Sequence, residues 1–449
     1  MSLTALITGK RLGHGLHVPE HKEQTSRLPV RRMPFAPMLV VPLAQHTGAP
    51  AIPLVHEGQE VVRGEPIAKA GGFVSVPMHA PATGRVMRIA LAPSARGDLA
   101  PAIYISPHPG ASQEILYGAP QDIERMTPAE IVQAVQDTGV VGLGGAAFPT
   151  HVKLKAPEGK TIDTVVVNGC ECEPYLTADH RVMLEQPGEV LHGARIVMKA
   201  LGATRAVVGV EDNKLDAVQA LREALGGATD IVIEALPAKY PQGAEKMLVK
   251  VLLGREIPSA GLPADVGLAV FNVATLAQIG DLLPRRQGLI ERVVTIAGPG
   301  VRKPGNYLMA LGTPLRWALQ QADCTKDVAS VILGGPMMGA AAGSLDVPVT
   351  KGVTGILVLT KREVKSHSRI YPCIHCAACV DVCPMHLNPS RLGMLARKDR
   401  YEEMETDYHL MDCFECGCCS YVCPSHIPLV QYFRVAKQMR REEKARHAN

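Results

Sequence analysis

The chain's 449 residues exceed what one hydrophobic core organises, so its length predicts about three domains. A formal charge of +4 is too small over that length to predict a nucleic-acid partner, and six phenylalanines with one tryptophan leave little for base-stacking platforms. No run approaches the eighteen or so apolar residues of a spanning helix, the N-terminus lacks a signal peptide's pattern, and a soluble cytoplasmic chain with twelve cysteines is expected to ligate metal rather than form disulfides.

The first hundred or so residues combine Pro and Gly with short β-prone runs at Met38–Leu43, Glu60–Val62 and Arg85–Ile89, predicting a small β module over 1–125. HEGQEVVRGEPIAK followed by MHAPATGRVMRI resembles the barrel-sandwich hairpins of lipoyl- and biotinyl-type carriers, without a lysine in their modified turn. At Thr127 the pattern turns helical, with Pro128 at the first position, Glu130 completing a capping box and Gly139 as the stop. Strand-like Thr164–Val167, Ala206–Val210 and Ile231–Ala235 then alternate with helical Val190–Leu201 and Leu215–Leu225, predicting parallel βαβ units in a Rossmann-like domain over 126–290. Helices are expected at Ala244–Leu253 and Ala274–Leu283. A small mixed domain over 291–350 is read from Val293–Ala297, Pro314–Gln321 and Val328–Leu333. A helical cysteine-rich domain follows over 351–430, with a helix at Pro389–Arg397, and the basic tail 431–449 is read as a solvated helix. The fold class is therefore α/β multidomain.

Cys373, Cys376, Cys379 and Cys383 before Pro384 form C-x-x-C-x-x-C-x-x-x-C-P, and Cys413, Cys416, Cys419 and Cys423 before Pro424 repeat it. A [4Fe–4S] cube needs one thiolate per iron. Three closely spaced cysteines wrap one corner of it, and in two-motif ferredoxins the fourth ligand crosses over. The expected ligand sets are thus Cys373, Cys376, Cys379 and Cys423 for one cluster, and Cys383, Cys413, Cys416 and Cys419 for the other. Zinc modules pair two C-x-x-C units instead. Cys418 breaks the repeat and is read as a spectator.

Gly142-Leu143-Gly144-Gly145-Ala146-Ala147 matches G-x-G-x-x-A, but a helix ends just before it and Pro149 follows, so the dinucleotide context fails. Such a loop still lets backbone amides approach phosphate. Gly142–Leu154, Asn168–Pro174, Tyr240–Glu245 and Phe271–Thr275 follow the order and spacing of the flavin-binding subunit of respiratory complex I, which this region resembles over about residues 130–345. With the N-terminal module, its Gly15–Glu20 start and the paired cysteine motifs, nearly the whole chain resembles the C-subunit family of Rnf ion-translocating electron-transport complexes.

By that resemblance, FMN lies against Gly142, Gly144, Gly145 and Lys153, with Asn168, Glu171, Tyr240, Gly243, Asn272 and Thr275 orienting it. NADH stacks over the flavin near Phe148, with Glu173 beside its ribose. Leu143 stands where the complex I motif has Arg, and Ala244 where it has Glu. The small domain is similar to a soluble-ligand-binding β-grasp, and Cys170 and Cys172 are read as small buried apolar groups. The resemblance implies hydride transfer from NADH to FMN, single electrons through two [4Fe–4S] clusters, and no catalytic acid or base triad. It also implies a peripheral subunit on the cytoplasmic face of the inner membrane, working with integral and peripheral partner subunits and, through them, ferredoxin, with transfer coupled to Na⁺ or H⁺ movement. Two other readings are a cobalamin reductase-type flavin and iron–sulfur enzyme, and a nonenzymatic iron–sulfur carrier.

Overall fold

A computed structural model describes residues 12–95, 97–364 and 369–448. Its N-terminal module is two small antiparallel sheets facing one core. One runs Leu39–Pro42, Leu99–Pro107, Gly84–Pro93, Glu60–Val61; the other runs Ile52–Pro53, Pro66–Lys69, Met78–His79. Val41, Ile67, Met78, Val86, Ile103 and Ile105 fill the space between them. Alternation explains the arrangement, since Val86 is buried while Arg85 and Met87 beside it face out.

The helix predicted at Thr127 spans Pro128–Asp137, and its capping box forms with both hydrogen bonds present. Four parallel strands follow, in the order Ile231–Leu236, Arg205–Glu211, Thr164–Gly169, Leu268–Asn272. Thr164–Gly169, Arg205–Glu211 and Leu268–Asn272 carry no alternation because helices cover both faces, while the edge strand Ile231–Leu236 leaves Val232 exposed. The chain adds Arg205–Glu211 and Ile231–Leu236 on one side of Thr164–Gly169, then returns to place Leu268–Asn272 on the other. The reversal leaves a crevice at the carboxyl ends of Thr164–Gly169 and Leu268–Asn272, where ligands of open α/β sheets bind. Asn168 and Asn272 are register partners there.

The third domain is a six-stranded mixed sheet ordered Arg31–Arg32, Gly305–Ala310, Glu291–Ala297, Gly355–Thr360, Val328–Leu333, Ala340–Ala341, with helix Leu315–Gln321. It corrects two expected boundaries. Gly355–Thr360 pairs with both Glu291–Ala297 and Val328–Leu333, so this domain runs past 350; Arg31–Arg32 extends its edge from within the span assigned to the N-terminal module.

The cysteine-rich domain is helical, with Leu392, Leu395, Met404, Leu410 and Phe433 in its core. Its last helix, Leu429–Ala448, begins before residue 431 and buries Phe433 and Ala436. The expected solvated tail is therefore partly a structural wall: its basic face meets Glu405 through Arg440 (2.8 Å) and Lys444, and apolar residues take the other side.

Candidate functional site

The glycine loop closes on itself. Gly142 N–H donates to the Phe148 carbonyl at 2.8 Å, Ala147 N–H to the Gly142 carbonyl at 3.0 Å, and residues 144–146 are exposed at the tip. Gly145 adopts φ +106°, with nothing within 4 Å of where a Cβ would sit. Gly144 lies against Asn272, so the loop overhangs the crevice. Behind it, Leu143 is buried, its N–H donating to Thr275 Oγ1 at 2.9 Å and its carbonyl accepting from buried Arg292 at 3.0 Å.

Asn272 caps helix Val273–Leu282, its Oδ1 accepting from Ala274 and Thr275 N–H while its Nδ2 donates to Asp179 at 2.6 Å. Across the crevice, Asn168 donates to the Gly243 carbonyl at 2.8 Å and accepts from Cys170 N–H at 3.1 Å. Gly243 is required here, because a Cβ would lie 2.7 Å from the Cys170 carbonyl. Lys153, in the short helix after the loop, donates to the Val270 carbonyl at 3.2 Å and stands 3.5 Å from Glu245.

The acidic loop after Asn168 is held from several sides. Glu171 is buried, its carboxylate accepting from Asp179 and His180 N–H at 3.0 and 3.2 Å, the start of helix Ala178–Glu185. Glu173 accepts from Met337 and Met338 N–H at 3.0 and 2.7 Å, and burial raises its pKa. Lys22 donates to the carbonyls of Glu171, Glu173 and Leu176, and burial lowers its pKa. Burial and the neighbouring Glu171 hold the Asp179 carboxyl well above the usual carboxylate range. Sequence reasoning missed Asp179 and Lys22. An acid in the first turn of the next helix was the available signal for Asp179; for Lys22, 149 residues from Glu171, there was none.

The cysteines fall into the crossed sets. Cys373, Cys376, Cys379 and Cys423 line one cavity together with Ser390, Met394 and Ile427. Cys383 lies close enough to interact electrostatically with Cys416, and Cys413 and Cys419 with both. Burial pushes the Cys413 thiol up to about 11, so filling this set displaces protons. Among the described residues no group of three or more His, Cys, Asp or Glu is arranged to hold a single metal ion.

Four family models match in chain order: the RnfC Barrel sandwich hybrid domain over 10–109, the Nuo51 FMN-binding domain over 135–281, the SLBB domain over 293–341 and the 4Fe-4S dicluster domain over 372–427. The chain is 44% identical to the C-subunit of the proton-translocating ferredoxin:NAD(+) oxidoreductase complex of Clostridium ljungdahlii, covering 95% of this chain and 93% of that protein. The chain belongs to the RnfC family. It is 40% identical to the Na(+)-translocating counterpart of Acetobacterium woodii, covering 88% of this chain and 89% of that one. Against the C-subunit of the ion-translocating oxidoreductase complex of Pseudomonas aeruginosa it is 41% identical over 96% of its own length but spans only 56% of that longer protein. An NAD+-reducing [NiFe]-hydrogenase in the H2-reduced state shares the fold at TM-score 0.50 and 18% identity, over 70% of this chain and 62% of that one.

An RnfC chain with an FMN-binding domain and a 4Fe-4S dicluster domain must offer a phosphate cradle and two thiolate sets. The exposed glycine tip at the crevice, with Lys153 at its strand end, fits a flavin phosphate. Thiolate-only sets fit iron–sulfur cubes. Several of the residues expected to contact the cofactors are bonded within the protein. Asn168, Asn272 and Thr275 brace the crevice through backbone groups, the Glu171 and Glu173 carboxylates serve backbone amides, and the Tyr240 hydroxyl donates to the Cys416 carbonyl at 2.6 Å. Phe148 is half-buried at the loop's far end. Among the described residues no helix is long and apolar enough to cross a membrane.

Proposed function

We propose that this chain is the NADH-facing subunit of a membrane-bound, ion-translocating NADH:ferredoxin oxidoreductase complex, held peripherally on the cytoplasmic side by integral partner subunits. The observation that carries the reading is the junction of two sites. A glycine cradle at the crevice and a crossed pair of cysteine quartets are packed together, with Tyr240 of the flavin-binding half bonded to Cys416 of the cluster half.

In this reading the amides of the exposed tip, Gly144 and Gly145, and the Lys153 ammonium hold the flavin phosphate, while Gly142 closes the loop behind them and Asn168, Gly243 and Asn272 set the walls. Phe148, half-buried at the end of the loop, is the aromatic ring assigned to the nicotinamide nucleotide. Bound flavin supplies the step between two-electron nicotinamide chemistry and one-electron cluster chemistry. The protein's part is spacing and burial, so no proton-transferring triad is required. Relatives named as proton- and Na(+)-translocating complexes support the assignment to such a complex, and the barrel-sandwich module ahead of the glycine loop favours it over a cobalamin reductase.

The test is anaerobic isolation with metal, sulfide and flavin counts, followed by NADH titration. About eight irons and eight sulfides per flavin are expected, with flavin absorption bleaching before cluster absorption. Zinc in place of iron, or a flavin that NADH leaves oxidised, overturns the proposal. Co-purification with integral membrane subunits tests the peripheral placement.

A further inference from the structure

The two cysteine quartets stand differently toward the rest of the chain. Around Cys383, Cys413, Cys416 and Cys419, the neighbouring residues press against the flavin-binding half. Met385 and Phe414 pack on the core built from Val166, Cys170 and Met247. Asp412 accepts from Ser259 Oγ at 2.5 Å and lies 3.6 Å from Lys246. The Val382 carbonyl accepts from Gly15 N–H at 3.1 Å, and Gly417 lies against the Met337 carbonyl, whose residue is bonded to Glu173.

Tyr240 makes the most direct link. It is 2% exposed, and its hydroxyl donates to the Cys416 carbonyl. Three residues on, the Gly243 carbonyl accepts from Asn168 at the floor of the crevice. A short run of covalent and hydrogen bonds therefore joins the crevice to this quartet.

Cys373, Cys376, Cys379 and Cys423 face the other way. Among the described residues their cavity is lined by the cluster domain alone, and the chain leading into it is tied within that domain, Tyr371 N–H to the Ser425 carbonyl and Ser425 Oγ to the Pro372 carbonyl. Cys376 is exposed, and Ile370, Tyr371 and Ile374 beside it are 49%, 47% and 66% exposed.

Because electron tunnelling weakens steeply with distance, this asymmetry sets a sequence. We infer that the quartets act in fixed order: the Cys383, Cys413, Cys416 and Cys419 cluster takes electrons from the flavin side, and the Cys373, Cys376, Cys379 and Cys423 cluster passes them outward. Tyr240 is the positioning residue for the first of these steps. One NADH becomes NAD⁺ with release of one proton and two electrons. Each cluster gains and gives up one electron at a time, so two one-electron acceptor proteins are reduced per NADH. The inference rests on the proposed function and deepens it.

The experiment uses the full chain with FMN and both clusters, freeze-quenched after mixing with NADH and read by electron paramagnetic resonance. In Cys416→Ser, rapid NADH-driven reduction of the Cys376 cluster is lost although the flavin still bleaches and dithionite still reduces that cluster. In Cys376→Ser, NADH still reduces the Cys416 cluster, while delivery to an outside one-electron acceptor is lost. The opposite pattern overturns the order. Tyr240→Phe, which keeps the ring, shifts the resonance signal or midpoint potential of the Cys416 cluster and leaves the other unchanged; a shift confined to the Cys376 cluster, or none, counts against it. Failure of NADH to reduce any centre in the unaltered chain instead removes the proposed function.

Discussion

Lys22 is buried, and its ammonium is used up on three backbone carbonyls. Those carbonyls belong to the loop that forms one side of the crevice, so the lysine fixes a turn that has no regular hydrogen-bonding ladder. Lys22→Met leaves all three without a donor and is expected to lower stability by about 3 kcal/mol, measured by urea unfolding. Lys351 makes a different prediction. Burial lowers its folded pKa to about 7 from 10.5, while its Nζ donates to the Pro77 and Gly139 carbonyls at 2.9 and 2.7 Å. Between those two values the unfolded chain holds the proton and the folded chain does not. Stability therefore rises with pH across that window, with a slope up to about 1.4 kcal/mol per unit. Comparing urea midpoints at neutral and alkaline pH checks this: Lys351→Met should lose the part of the rise that wild type shows. At this scale the residue types of the site were legible and their partners were not. Glu171 and Glu173 read as ligand-facing acids through the family resemblance, but their amide partners include a loop 164 residues away.

Among the elements, helices were the easier reading. Leu215–Leu225 and the capped start at Pro128 follow from 3.6-residue periodicity and cap chemistry, both local properties. Strands Leu268–Asn272, Gly305–Ala310 and Gly355–Thr360 escaped it. Leu268–Asn272 and Gly355–Thr360 are short apolar runs, and in Gly305–Ala310 neither face is left to solvent, so none alternates. Leu268–Asn272 matters most, because without it the sheet has no reversal and the crevice has no second wall. Its position depends on the helix that follows. Helices Pro187–Leu201 and Val273–Leu282 touch backbone to backbone, where a Cβ on Gly193 would lie 1.9 Å from the Leu276 carbonyl and one on Gly280 2.1 Å from that of Glu189. Gly280→Ala must push the helices apart, and is expected to destabilise the chain by about 3 kcal/mol. Since the same helix carries Thr275, which anchors the glycine loop, flavin affinity should fall in parallel. Thermal unfolding and flavin titration of one preparation test both effects; a stability loss with unchanged flavin binding would sever the link from helix packing to loop.

Across the whole molecule, the N-terminal segment ahead of the barrel-sandwich module works as a strap. Leu12 enters the core beneath the parallel sheet, Gly15 reaches the Val382 carbonyl, Leu16 pairs with Tyr240, Thr25 joins Thr177 and Asn306, and Arg31–Arg32 adds a strand to the third domain. One stretch of about twenty residues thus touches the flavin-binding half, the cluster domain and the third domain, which composition and motifs could not foretell because every contact is remote in sequence. Gly15 precedes Leu16, the strap residue bonded to Tyr240. It adopts φ +105°, and a Cβ would lie 2.3 Å from the Tyr240 carbonyl. Alanine there is strained in backbone and blocked by a neighbouring main chain, so Gly15→Ala must lift the strap at the point where it meets both Tyr240 and Val382. The barrel-sandwich core lies outside this contact and should keep its stability. Hydrogen exchange separates the regions: amides at residues 240–244 and 413–419 should exchange faster in Gly15→Ala, while those of Gly84–Pro93 and Leu99–Pro107 stay protected. Uniform loss of protection would mean that the strap stabilises the chain as a whole; no change at 413–419 would mean that the cluster domain is seated without it.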